Sequence, residues 1–180
     1  LADDKKEKWM NWLALTTVIF AVCATLSTFK GGGFSTKTIL AQSQESDAWA
    51  YFQSKSIKSY LYEVQKEKLE LEIKALSENA DKKQTLIEDY QKKIKSYEER
   101  IARYDGEKSE LQKKAEGLKA EKVSHQKHSQ AFGMAVIFLQ IAILLCSIAG
   151  LMKKKPVWLL GSLIGVWGII NFLNGFWLLF

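Results

Sequence analysis

The side chains able to do chemistry here are two histidines, two cysteines and three amides set in apolar runs. His125 and His128 stand at i and i+3, so on a helix they share one face, which is half of a metal site. A third and a fourth ligand are missing nearby, and the pair reads as solvated histidines close to a membrane surface. Cys23 and Cys146 each sit inside an apolar run and read as packing residues rather than as a disulfide framework. A Gly-rich phosphate loop, a CxxC pair and a strand on which to mount a nucleophile are all absent from the sequence. Catalytic residues, metal ligands and a cofactor are therefore not expected, and the reading is non-enzymatic. Gln140, Asn171 and Asn174 remain. An amide facing lipid is costly, so each is expected to meet another helix or to line a path.

The elements that carry these residues follow from a split composition. Of 180 residues, 47% are hydrophobic and 26% charged, but the two kinds occupy different stretches. A single proline fits long unbroken helices. Residues 1–8 form a charged tail. Residues 9–29 carry no charge and are long enough to span a bilayer. A cleaved signal peptide is the rival reading, given Lys5, Lys6 and Lys8. The apolar run is too long for one, and Val22 spoils a lipoprotein box before Cys23. Residues 132–152 and 157–180 make two further spans around a basic loop at 153–156. Lys153, Lys154 and Lys155 place that loop in the cytoplasm and the segment at 30–131 outside, although Lys30, Lys37, Lys119, Lys122 and Lys127 argue the other way.

The net charge of +6 raises nucleic acid as a partner, yet the lysines of the middle segment alternate with glutamates as on a solvated helix face. Lys30 and the glycines at 31–33 read as a flexible exit from the membrane. From Leu69 to Leu118 apolar residues recur at alternating steps of four and three, interrupted only at Lys83 and Lys108. This is the seam of a helix packed on a helix. Ile57, Leu61, Val64 and Leu71 form a second seam in another phase, as expected if a first helix ends and its partner begins. A turn at 77–81, rich in Ser, Asn and Asp, would set Leu71 opposite Ile87, Val64 opposite Ile94 and Ile57 opposite Ile101. Asp105-Gly106 is the competing turn. Each leg would be about 75 Å long, with little core of its own.

Ile87, Tyr90, Ile94, Tyr97, Ile101 and Tyr104 are bulky for a simple pair of helices and suggest a wider interface with neighbouring copies. Gly161, Gly165 and Gly168 fall close to one face of the last span, where small residues admit a neighbouring backbone from the same chain or another. Trp49, Tyr51 and Phe52 suit either the lipid headgroups or ordinary helix packing.

The run SDAWAYFQSKSI at 46–57, with FLQIAI at 138–143 and the basic loop after it, resembles a bacterial membrane-protein family known only as a domain of unknown function, four-three-three-seven. Phe52 and Ser54 stand where Tyr and Ala are common in that family. The resemblance implies a bacterial inner membrane and the same layout of spans, and it implies no activity. The expected fold is an all-α membrane protein, with three transmembrane helices and a long antiparallel helical hairpin, a coiled coil, between the first and second. The expected function is a homo-oligomeric scaffold that projects this stalk from the lipid bilayer, with an unidentified protein as a further partner and no nucleic acid. The alternative is a channel or an accessory subunit of a transport complex, with Gln140, Asn171 and Asn174 as its polar set.

Overall fold

The computed structural model describes residues 2–77 and 84–178, with side chains over 9–76 and 84–178. Three helices account for the described residues: α1 (Ala2–Ser77), α2 (Gln84–Met152) and α3 (Lys155–Trp177). Each contains a stretch long and apolar enough to cross a membrane, as expected from the sequence. The turn expected at 77–81 lies outside the described residues beyond Ser77, where α1 ends.

The flexible exit at 30–33 is not observed, because α1 runs straight through it. Three glycines in a row would weaken an isolated helix. Here tertiary contact overrides propensity at Gly31, where an added Cβ would come 3.1 Å from Phe132 Cβ. The Ser129 hydroxyl also donates to the Gly31 carbonyl at 3.2 Å. Asp105-Gly106 is likewise helical, inside α2. The basic loop is shorter than expected, since α3 already begins at Lys155 with Pro156 in its first turn, where the missing N–H costs nothing. Lys153 takes a left-handed conformation (φ 55°) and the Lys154 N–H donates to the Ala149 carbonyl, which closes α2.

The chain divides into two compact units, Leu1–Ala41 with Ala120–Phe180, and Gln42–Lys119. In the first, the core joins Phe20 and Ala24 of α1 to Ala135, Leu139, Ala142 and Cys146 of α2, with Trp158, Ile164 and Phe172 of α3 packed against it.

In the second unit, α1 and α2 meet along a seam whose partners descend α2 as α1 ascends. Lys55 pairs with Glu107 and Lys66 with Glu98. Tyr62 packs on Tyr97 and Tyr104, and Glu72 bonds Tyr90. The α1 side of the seam is Ala48, Phe52, Lys55, Ser59, Tyr62, Lys66, Leu69 and Ile73, all buried or half-buried at alternating steps of four and three. This corrects the expected pairing. Ile57, Leu61, Val64 and Leu71 are not opposite Ile101, Ile94 and Ile87; they are exposed. Between residues 55 and 66 the stripe with the higher apolar count, Ile57, Leu61 and Val64, lost to one with two lysines. Lys55 and Lys66 lay their methylene stems in the seam and carry their ammonium groups to carboxylates on α2, and Tyr62 fills the space between them.

Candidate functional site

Three arrangements are candidates: the glycine face of α3, the polar-aromatic seam, and the exposed stripe of α1. The glycine face follows from spacing. Gly161, Gly165, Gly168, Asn171, Asn174 and Gly175 are all buried and line the side of α3 turned to the rest of its unit. An added Cβ at Gly161 would come 3.0 Å from Leu145 Cβ, and one at Gly168 would come 2.8 Å from Leu139 Cγ. The Phe20 ring lies over Gly165, and the Phe132 ring over Gly175. Within this unit the contacts are therefore between helices of one chain. Asn171 donates from Nδ2 to the Trp167 carbonyl at 2.9 Å. Gln140, by contrast, is exposed on α2, so the chain does not gather the three amides of the apolar runs in one place.

Sequence reasoning missed the cluster at the end of this face. Phe132 is fully buried, stacks on Phe34 and meets Phe172 and Phe176 edge-on. His128 lies parallel to Phe34 with ring centroids 4.6 Å apart, and its Nδ1–H donates to the Gly175 carbonyl at 2.8 Å. The pair His125 and His128 is thus spent on Phe34 and the end of α3. Among the described residues no three His, Cys, Asp or Glu side chains come together as a metal site. The signal that could have revealed the cluster was the recurrence of Phe at 34, 132, 172 and 176, with Phe172 and Phe176 one helical turn apart.

In the seam, Ile87, Tyr90, Ile94, Tyr97 and Ile101 are half-buried and Tyr104 is buried. Tyr97 and Tyr104 face Tyr62 of the same chain, with Arg100 over the Tyr62 ring and bonded to its hydroxyl. Part of the bulk first assigned to neighbouring copies is therefore absorbed within the chain. Trp49 packs edge-on to Phe52, and Tyr51 is exposed beside Lys55, Glu107 and Lys114 around a shallow cleft of about 320 Å³. Their immediate setting is the charged seam.

The Lys55–Glu107 pair (2.6 Å) also sits over Tyr104 and is joined by Arg103. The hydrogen bond from Lys55 holds the Glu107 carboxyl below its ordinary value of 4.5. A lowered folded pKa stabilises the fold above the unfolded value, and that contribution is lost as pH falls through the folded one. Thermal stability is expected to fall as pH drops below about 4.5, and Lys55→Met should flatten that drop. Equal slopes in the two proteins would show that the pair carries no linkage.

The third arrangement is a surface. Ile57, Leu61, Val64 and Leu71 keep 63, 55, 44 and 66% of their area exposed, on a face of α1 other than the seam. With Lys68 between Val64 and Leu71, they repeat the alternation of four and three.

No curated protein and no solved structure matches the chain. The match to a known family lies elsewhere: residues 9–178, which include all three helices' apolar stretches and both faces of the seam, fit the family described as domain of unknown function (DUF4337). That match covers nearly the whole sequence, and the chain belongs to the DUF4337 family.

Proposed function

We propose that this protein is a non-enzymatic scaffold of the bacterial inner membrane, in which several copies join through α1. In this reading the three apolar stretches cross the bilayer. The opposed run of α1 and α2 between them forms an antiparallel coiled-coil hairpin, projected on the extracytoplasmic side. The lysines at 153–155 support that orientation, since short basic loops stay in the cytoplasm.

The observation that carries the proposal is the exposed stripe at Ile57, Leu61, Val64 and Leu71. A solvated helix face has no need of four large aliphatic side chains at coiled-coil spacing, whereas a partner helix fits that spacing. Among the described residues the stripe has no partner helix, because α1 already meets α2 through the seam. Gln140 adds support: it is exposed within an apolar stretch, where an amide against lipid is costly and a helix from a second copy would relieve it.

Cysteine cross-linking in intact membranes tests this reading. Leu61→Cys is expected to give a disulfide-linked dimer on mild oxidation, and Lys92→Cys, exposed on α2, is expected to give none. Equal yields from the two would remove the stripe as the contact.

A further inference from the structure

We propose that the groove between α2 and α3, near the C-terminal end of α3, holds one glycerophospholipid molecule at the membrane edge. The groove encloses about 490 Å³, within the range of about 300–1,000 Å³ usual for small-molecule sites. Lys127, Gln130 and Met134 line it from α2, and Asn171, Asn174 and Leu178 from the other side.

The order of these groups matches the order of polarity in a phospholipid. Lys127 comes first along α2, followed by Gln130 about one turn on and Met134 about one turn further, roughly 10 Å in all. A phosphodiester suits the ammonium of Lys127, a compact cation on a flexible stem. The ester oxygens below it accept hydrogen bonds, which suits the Gln130 amide. Met134 is exposed and apolar, as a surface for the start of an acyl chain.

Asn171 and Asn174 give the groove a polar floor. They are only 8 and 5% exposed, yet stand in a helix otherwise rich in Leu, Ile, Trp and Phe. One amide hydrogen of Asn171 is taken by the Trp167 carbonyl, and an amide carries two. Packing alone would be served by Leu at position 171. A fixed polar floor beneath a lysine is what a headgroup-and-ester ligand requires. A second protein copy fits less well, because the apolar part of the lining, Ala131, Met134 and Leu178, is a small patch beside a cation and an amide, Lys127 and Gln130, that an apolar helix face would leave without partners.

The inference rests on the reading that α2 and α3 cross the bilayer, and the test separates the two. Full-length protein, extracted in mild detergent, is mixed with dioleoyl phosphatidylglycerol or dioleoylglycerol, and bound lipid is counted by native mass spectrometry. The native chain is expected to retain one phosphatidylglycerol and no dioleoylglycerol. Lys127→Ala should bind phosphatidylglycerol about tenfold more weakly, an effect of the size of one charge-assisted hydrogen bond. Lys30→Ala, which removes an exposed lysine of α1, should bind as the native chain does.

Unchanged retention in Lys127→Ala, equal loss in Lys30→Ala, or equal binding of the phosphate-free lipid would each overturn the proposal. Alkaline extraction of membranes carrying Lys127→Ala reads the membrane assignment separately. Chain left in the pellet keeps that assignment whatever the lipid count.

Discussion

Phe132→Ala is expected to destabilise the unit formed by residues 1–41 and 120–180 by about 3 kcal/mol, the lower part of the range for truncating a buried phenylalanine. Phe132 touches all three helices. Its Cβ lies against Gly31 of α1, its ring covers Gly175 of α3, and it meets Phe34, Phe172 and Phe176. Glycine at both of the first two contacts leaves no side chain to fall into the vacated space, so the cavity persists and its lining loses dispersion contacts. In the bilayer setting proposed above the transfer term is smaller than in water because lipid is itself apolar, which sets the effect low in the range. Unfolding of the detergent-solubilised chain by a stronger detergent reads it. A loss below about 1 kcal/mol would mean that the cluster is not a packing centre.

Gly168→Val acts in the opposite sense, by adding atoms, with an expected loss of about 2–3 kcal/mol. A Cβ at this position would lie 2.8 Å from Leu139 Cγ and 3.1 Å from the Leu139 backbone nitrogen. A side chain could shift; a helix backbone shifts only if α3 as a whole moves off α2. Leu139 is itself fully buried, which removes even the first way out. Gly133→Ala is the control, since nothing lies within 4 Å of its added Cβ. Replacing a helical glycine by alanine there should stabilise by about 0.5–1 kcal/mol. The same unfolding assay should thus give opposite signs for two glycines in neighbouring helices, and a stable Gly168→Val would remove close approach as the reason for the glycine face.

What the sequence made legible depended on how packing is written in residue types. The apolar stretches were plain because spanning length and absence of charge leave few alternatives. The glycine face of α3 was plain because close approach of backbones admits few residues. On α2 the seam from Ile87 to Leu118 was legible, since its inward positions carry most of that segment's large apolar side chains. On α1 the same logic failed. Its inward face holds Lys55, Ser59, Tyr62 and Lys66, while Ile57, Leu61 and Val64 point out. Counting hydrophobic residues selects the wrong stripe when the partner offers carboxylates and aromatic rings, as Glu98, Tyr97, Tyr104 and Glu107 do here. The glycines at 31–33 misled for a related reason: local propensity says coil, and the contacts of Gly31 with Phe132 and Ser129, about a hundred residues away in sequence, oppose it.

That failure of phase also changes where self-association is sought. The tyrosines of α2 first suggested a wider interface, and Tyr62 of the same chain occupies two of them. Among the described residues the outward stripe is then the apolar face of α1 that stays exposed.

The most direct test is the mass of the protein in a mild detergent or a lipid nanodisc, with lipid and detergent subtracted, for the native chain and for Leu61→Glu. Leu61 is exposed, so the charge should not disturb the single chain, but in an interhelical seam it would be buried beside its counterparts. The account predicts a discrete multiple of 20.5 kDa for the native protein and 20.5 kDa for the variant. A native protein of 20.5 kDa, or a variant that keeps the native multiple, would contradict it.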